Sequence, residues 1–171
     1  MTVLPDLLVP NLKVVFCGTA VATASAERGH YYAGPGNKFW KLLYESGFTS
    51  TQLRPEDDGT LPSLGVGITD LKKDIAQSHD RGLDFGKTSA VAWHIEEANP
   101  RWVAFNGLTA GRAAARQLGS RTTGLGKQTW TIRQSAVFVL PSSSGAHAAM
   151  PYSEKLRWWT ELAHYVKDGT G

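Results

Sequence analysis

Residues able to hold a polar ligand or move a proton cluster in four short segments, each at the end of an apolar run. They are Gly18 with Thr19, Asp70, Asn106, and the stretch LPSSSGAH at 140–147. A carboxylate, an amide, hydroxyls and an imidazole can bind a polar ligand and transfer protons. In an open α/β sheet the segments that follow the strands meet at one edge. We therefore expect these four segments to converge on one cleft.

The elements that position these segments alternate between strand and helix patterns. Short runs rich in Val and Phe predict buried strands, and apolar residues at helical spacing predict the intervening helices. This alternation predicts one α/β domain over residues 1–171, with three layers and a central, mainly parallel sheet covered by helices on both faces. The predicted strands are 13–17, 102–105 and a hairpin of 128–133 with 136–140 turning at Gln134-Ser135; the predicted helices run from an Asn37 cap to Gly47, over 89–98 and 108–118, and from about Ser153; residues 18–26 and 54–63 are predicted loops.

Composition and charge narrow the function classes. The chain has 171 residues, 42% apolar and 19% charged, which are globular values. No apolar run of about 18 residues could span a bilayer, and the N-terminus lacks a signal-peptide pattern, so we expect a cytoplasmic protein. The net charge of +3 allows an anionic partner without requiring one. The lone Cys17 excludes an internal disulfide or a multi-thiolate zinc site; we expect no cofactor, and nothing requires more than a monomer.

Taken together, these segments resemble the uracil-DNA glycosylase superfamily, and within it the mismatch-specific uracil and thymine DNA glycosylase branch. The most specific stretch is GHYYAGPGNKFWKLLYESGFTSTQL at 29–53. The resemblance implies a DNA partner containing uracil or related damaged bases, and cleavage of the N-glycosidic bond of a uracil flipped out of DNA, without metal or cofactor. Four further matches follow in the family's order: GVGITD at 65–70, VAFNG at 103–107, GKQTWTI at 126–132 and LPSSSGAH at 140–147.

The resemblance also assigns residues to the base pocket. It places Tyr32 against the extruded base, where a phenol ring can stack, with Tyr31 as the alternative. The backbone of the first loop, including Gly18, Thr19 and Ala20, would line the pocket. Asn106 either reads the edge of a pyrimidine or ties down the turn that follows it.

A second group of residues is assigned to DNA contact. Their short hydroxyls and backbone N–H groups suit close approach to phosphates. At the position that plugs the gap left by the flipped base stands Ala146, whose methyl group fills little space. Either His147 or Met150 wedges instead, or the enzyme prefers weakly paired bases. The DNA-binding residues implied by the resemblance are Ser142, Ser143, Ser144, Gly145 and Ala146, with Lys38, Lys41, Lys127 and Arg133 as a possible basic rim.

The first loop departs from the family pattern. Ala20 aligns with the usual water-positioning asparagine and has no polar side-chain atom. We favour Asp70 as the replacement, because a carboxylate near the pocket can accept a proton from water and stabilise the positive sugar. Asp74 is the competitor, or else a solvated partner of a neighbouring lysine. His147 is a second catalytic candidate, which could donate to the departing base or to phosphate.

Three functions remain open on the sequence. The first is a monofunctional uracil-DNA glycosylase, favoured because no lysine occupies the matched catalytic positions to form a Schiff base. The second is a non-catalytic module that binds damaged DNA or abasic sites and has lost hydrolysis together with the side chain at Ala20. The third is a hydrolase of free nucleosides or nucleotides.

Overall fold

A computed structural model of the chain describes residues 2–76, 89–122 and 124–169. The four predicted helices, from the Asn37 cap to Gly47, over 89–98, over 108–118 and from about Ser153, are confirmed to within a few residues. Among the described helices, none is both long and apolar enough to cross a membrane. In chain order the elements are β1 (Val14–Val21), α1 (Thr23–Arg28), α2 (Phe39–Glu45), a 3₁₀ helix (Pro55–Leu64), β2 (Val66–Ala76), α3 (Ser89–Ala98), β3 (Trp102–Asn106), α4 (Leu108–Gln117), β4 (Gly126–Ile132), β5 (Ser135–Leu140) and α5 (Tyr152–Lys167).

The five strands form one sheet in the order β2-β1-β3-β5-β4. The first four are parallel to their neighbours, and β4 is antiparallel to β5 at the edge. A mainly parallel sheet needs both faces covered, which explains the continuous apolar runs in β1, β3 and β5. The predicted mainly parallel sheet is therefore confirmed.

Helices cover both faces of this sheet, so the predicted three-layer α/β/α arrangement is also confirmed. On one face Phe16 stacks on Trp159 of α5 with ring centroids 5.2 Å apart and meets Phe39 of α2 edge-on at 5.4 Å. On the other face the neighbouring Cys17 belongs to the cluster formed with α3 and the alanine-rich α4. Burial of each large apolar side chain contributes roughly 1.5–3 kcal/mol.

Two expectations about the first half of the chain are wrong in a way that concerns the site. Of residues 18–26, all predicted as a loop, 18–21 extend β1, because Gly18 pairs with Asp70 and Ala20 pairs with Lys72 of β2, and 23–26 belong to α1. Asp70, predicted at the end of its strand, accordingly lies inside β2. The carboxylate is thus held by a backbone ladder on a strand and not by a loop.

The polar stretch 54–63 is a 3₁₀ helix and not a surface loop. The Asp57 carboxylate accepts a hydrogen bond from the Arg54 amide at 2.9 Å, Pro55 occupies the first helical position, and Leu61 is fully buried. Local capping and one apolar anchor outweigh the loop-like composition. The β4–β5 turn is also shifted by one residue, to Arg133-Gln134, with Arg133 at φ +52°.

Candidate active site

A cavity of about 390 Å³ opens beyond the carboxyl ends of β1, β3 and β5. Its size is typical of ligand sites, which occupy about 300–1,000 Å³, and its place is the crevice where open α/β sheets bind ligands. The expected convergence of the four segments is confirmed. The predicted site residues that line it are Gly18, Thr19, Ala20, Tyr32, Asp70, Asn106, Ser142, Ser143, Ser144, Ala146 and His147; Gly145 does not line it.

The centre of the cavity is built around Gly18. Because Gly18 and Asp70 are register partners on neighbouring strands, a side chain at either position points to the same face of the sheet. A Cβ atom on Gly18 would lie 2.8 Å from Asp70 Oδ1 and 3.2 Å from Tyr32 Oη. The absence of a side chain at Gly18 therefore leaves open the space beside the Asp70 carboxylate and the Tyr32 hydroxyl.

The Asp70 carboxylate is buried but incompletely paired. The residue is 2% exposed, and its Oδ2 atom has no hydrogen-bond partner among the described residues; Lys73 Nζ lies 3.7 Å away. Burial raises the pKa of Asp70 from 3.8 to about 6, opposed by the charge of Lys73 and reinforced by that of Asp6. The group is ionised at neutral pH and is a stronger base than an ordinary aspartate.

Tyr32 is fixed in an unusual backbone conformation beside the carboxylate. Its φ of +52° is uncommon for a residue with a side chain, and such outliers cluster at functional sites. The ring stacks on Phe39 at 4.1 Å between centroids. Burial and then the negative Asp70 raise the pKa of its hydroxyl, which therefore remains a donor. The nearby Asn106 amide opposes this shift, although its geometry falls short of a full hydrogen bond.

Tyr31, the alternative stacking ring, is used inside the protein. It is 3% exposed, and its hydroxyl donates to the Pro5 carbonyl at 2.8 Å and accepts from Lys73 Nζ at 3.0 Å. Its ring packs with the core cluster of α2 and α5. Both tyrosines line the cavity, but Tyr31 is held by these internal contacts, whereas Tyr32 is only partly buried.

Ser143 joins three parts of the site from inside the protein. It is fully buried; its hydroxyl donates to Asn37 Oδ1 at 2.9 Å and accepts from Asn106 Nδ2 at 2.9 Å, while its amide donates to Asn106 Oδ1. Asn37 also accepts from the amide of Phe39 at the start of α2. Asn106 thus ties down the serine loop, a contact that neither of its two predicted roles included, and the Ser143 side chain is not on the surface that a phosphate would reach.

The hydroxyls of Ser142 and Ser144, which are only partly buried, can donate hydrogen bonds to a ligand. Ser142 Oγ accepts from the Ser144 amide at 3.1 Å, and Ser144 Oγ accepts from the Ala146 amide at 3.2 Å, so each hydroxyl keeps its proton for an outside acceptor. Gly145 lies against Gly36, whose carbonyl oxygen would be 2.9 Å from a Cβ at position 145. A glycine is needed there for this close approach of two loops.

His147 lies at the exposed rim of the cavity. Partial burial, and then the charge of Lys155, lower the pKa of His147 below its usual 6.5, so the ring is mainly neutral at pH 7. Lys155 is 4% exposed and donates to the His147 carbonyl at 2.8 Å. The burial of Lys155 could not be predicted, because this residue falls in an otherwise ordinary surface pattern of α5.

The remaining residues of the first loop and the predicted basic rim contribute less to the cavity. Ala20 lines the cavity without a polar side-chain atom, and the buried Ser25 hydroxyl accepts from the Ala33 amide at 2.9 Å. The Asp74 side chain lies outside the described part of the chain. Two of the predicted rim cations do not line the cavity. Arg133 is in the β4–β5 turn, 3.5 Å from Glu96, and Lys127 lies over the Trp102 and Tyr165 rings.

Two functional candidates were missed on the sequence. Asp6 and Lys73 lie on the N-terminal segment and on β2, and both are close enough to Asp70 to influence its charge. Neither belongs to a recognisable motif, and only the pairing of residues 3–7 with β2 brings them together. Within residues 2–76, 89–122 and 124–169, no group of three or more His, Cys, Asp or Glu could hold a metal ion.

The chain is similar to known proteins both in sequence and in structure. The model of the uracil DNA glycosylase superfamily matches residues 5–163. One similar solved structure is the solution NMR structure of a candidate uracil DNA glycosylase from Methanosarcina acetivorans, with 24% sequence identity, a TM-score of 0.66 and 96% of each chain covered. At this identity the likeness supports the fold alone, and the branch suggested by the sequence stays a prediction.

Proposed function

We propose, since this chain belongs to the uracil DNA glycosylase superfamily, that it flips uracil out of DNA and hydrolyses its N-glycosidic bond. The family supports a DNA glycosylase role; uracil as the substrate and Asp70 as the catalytic carboxylate are the proposal. The observation that carries it is the Asp70 carboxylate, which lines the cavity, is buried, and has one oxygen without a hydrogen-bond partner among the described residues.

In this mechanism the flipped base occupies the cavity with its ring against Tyr32. As the bond between the sugar C1′ and the base N1 breaks, the electron pair leaves with the base and positive charge develops on the sugar. The Asp70 carboxylate stabilises that charge and takes a proton from the water whose oxygen bonds to C1′. Water is the favoured nucleophile because no lysine is among the described residues lining the cavity.

The departing base leaves as an anion and must be stabilised by donors. Thr19–Ala22 and Tyr32 line the same cavity, so the backbone amides that the β1–β2 ladder does not use and the Tyr32 hydroxyl can supply them. Neutral His147, at the rim, can donate through a ring N–H to the base or to a phosphate. Ser142 and Ser144 donate to the DNA backbone, and Ser143 holds their loop in place through its buried hydroxyl.

The test is excision from a labelled duplex with one uracil, measured as alkali-labile product under single-turnover conditions with enzyme in excess. We expect Asp70→Asn to lower the rate by about 10²–10⁴, the usual contribution of a general acid or base. Asp74→Asn tests the competing carboxylate, and Asp57→Asn, on the exposed 3₁₀ helix, is the matched control. Equal rates for the wild type and the Asp70 variant would refute the assignment.

The pH dependence provides an independent check. Protonated Asp70 cannot accept a proton from water, so excision should fall as the pH decreases through about 6, the pKa of the folded carboxyl. An acid limb near pH 4, where ordinary aspartates titrate, would point to a different base.

A second candidate function is a non-catalytic module for damaged DNA, favoured by Ala20, which brings no polar side-chain atom to the cavity. The same assay separates the two. Retention of uracil-containing duplex without alkali-labile product supports the binding module. Turnover of free deoxyuridine with indifference to DNA would instead indicate a small-molecule hydrolase.

A further inference from the structure

We propose that Asp6 is a positioning residue for Asp70, and that it acts by holding the Lys73 ammonium between the two carboxylates, within ion-pair distance of Asp70 but not in a hydrogen bond with it. This inference rests on the proposed catalytic role of Asp70. It assigns a function in the site to the N-terminal segment, which lies outside every motif of the resemblance.

Three groups surround the Lys73 ammonium. Its Nζ atom lies 2.9 Å from Asp6 Oδ1, 3.0 Å from Tyr31 Oη and 3.7 Å from Asp70 Oδ2. The first two are hydrogen bonds, whereas the third distance is too long for one. The two short contacts of the ammonium are therefore with Asp6 and Tyr31, and the ammonium influences Asp70 mainly through its charge.

Asp6 is fixed in place by the strand it lies against. The Thr69 hydroxyl donates to Asp6 Oδ1 at 2.6 Å, and Leu7 forms an antiparallel bridge with Ile68 of β2. The amide of Val3 donates to the Lys73 carbonyl at 2.7 Å. These contacts set residues 3–7 along the outer edge of β2, so the position of the Asp6 carboxylate relative to Lys73 is built into the fold.

As a consequence, the Asp70 carboxylate is charged at neutral pH, and its Oδ2 atom is left without a hydrogen bond and can accept one from a ligand in the cavity. A hydrogen bond from Lys73 would occupy Oδ2 and lower the basicity of the group. When Asp6 is replaced by asparagine, the Lys73 ammonium loses the negative charge 2.9 Å away, and the Asp70 carboxylate, now 3.7 Å away on the same strand, attracts it more strongly. The contact would then close, and the base would be blocked.

Other titratable groups face Asp70 but carry no charge near neutral pH. Cys17 on β1, and Tyr31 and Tyr32 on the turn before α2, all have their pKa raised, first by burial and then by the negative Asp70. Among the described residues, Asp6 and Lys73 are therefore the two charged groups that shift the pKa of Asp70, and they act in opposite directions. Removing each should shift the titration of Asp70 in opposite senses.

The experiment compares Asp6→Asn, Lys73→Met and the wild type by two readouts. The first is ¹³C NMR titration of aspartate carboxyl carbons, with Asp70→Asn used to assign the signal. The second is the pH profile of single-turnover uracil excision. Asp6→Asn should move the Asp70 midpoint to lower pH and lower the plateau rate by up to about tenfold for each pKa unit lost, the upper limit of Brønsted behaviour. Lys73→Met should move it upward by about 1–3 pH units.

Controls separate positioning from loss of structure. Asp6→Glu keeps the charge and should restore most of the wild-type profile, and Asp57→Asn should change neither readout. If Asp6→Asn does not fold, Thr69→Val, which removes the hydrogen bond holding Asp6, should shift the midpoint in the same direction with a smaller effect. Midpoints that stay unchanged, or that move the same way in the Asp6 and Lys73 variants, overturn the proposal. A wild type that titrates as described but excises no uracil refutes the proposed function alone.

Discussion

Replacing Asp70 by Asn should stabilise the folded protein at neutral pH while it lowers excision. The carboxyl is 2% exposed, and its pKa is about 6 in the folded protein against an ordinary value of 3.8. The folded state therefore binds the proton more tightly than the unfolded state does. Between about pH 4 and pH 6 the contribution of Asp70 to the free energy of unfolding falls as the pH rises, because ionisation of this carboxyl is less favourable inside the protein than in the unfolded chain.

The size of the effect follows from the difference of about two pKa units. Each unit corresponds to about 1.4 kcal/mol, so ionised Asp70 costs the fold about 3 kcal/mol at pH 7. An asparagine has nearly the same shape, carries no charge, and can turn its amide oxygen toward Lys73, 3.7 Å from the present Oδ2. Most of that cost should be recovered, which for a chain of this length corresponds to a rise in Tm of about 6–12 °C.

Urea unfolding followed by tryptophan fluorescence measures this directly, since the chain contains six tryptophans. The wild type and Asp70→Asn are compared at several pH values from 4.5 to 8, so that the titrations of all other groups cancel in the difference. The stabilisation should grow up to about pH 6 and then level off. A variant that is less stable than the wild type at pH 7, or a difference that does not vary with pH, would show that Asp70 is not held at an electrostatic cost.

Three further changes have distinct expected outcomes. Gly18→Ala places a Cβ 2.8 Å from Asp70 Oδ1; excision should fall at least tenfold with a loss of about 1–3 kcal/mol in urea unfolding, the usual range for overpacking. Ser143→Ala leaves the buried Asn106 amide without its partner and should cost about 1–3 kcal/mol, with a higher KM for DNA. Ala146→Leu should increase excision from fully paired duplex relative to single strands, if a small plug limits base flipping; an unchanged ratio contradicts this.

The cleft was predictable from the sequence because polar residues at strand ends converge whenever the sheet is parallel. This reasoning located Asp70, Asn106 and the serine loop correctly, although it placed Asp70 in a loop. It could not find Asp6 or the buried Lys155, because their importance comes from tertiary contacts of single charged residues on unremarkable segments. Sequence order carries no signal for such contacts.

The fold was predictable wherever apolar periodicity was strong. The helices after Asn37 and Gly107 and the last helix follow from spacing and end signals. The predictions failed at 18–26, where the small residues do not indicate the strand extension or the start of α1, and at 55–64, where the polar composition does not indicate the 3₁₀ helix. In both places the deciding factor is a partner distant in sequence or a single buried anchor, which composition does not reveal.

Under the proposed mechanism, the register of β1 and β2 allows a carboxylate on β2 to take the role of a polar group on β1. The position that the resemblance gives to the water-positioning asparagine is Ala20, which pairs with Lys72, and Gly18, two residues earlier, pairs with Asp70. Residues two apart on a strand share a face, so Asp70 and Lys72 lie on the face of the sheet that Gly18 and Ala20 share. Of these two β2 residues, only Asp70 has the charge that stabilises a sugar cation.

The Asp70 carboxylate fits beside β1 because Gly18 has no side chain. Under the proposed mechanism, alanine at 20, aspartate at 70 and glycine at 18 are therefore one linked set. Adding Ala20→Asn to Asp70→Asn should recover uracil excision in the single-turnover assay while Gly18 is kept, and adding Gly18→Ala as well should abolish that recovery.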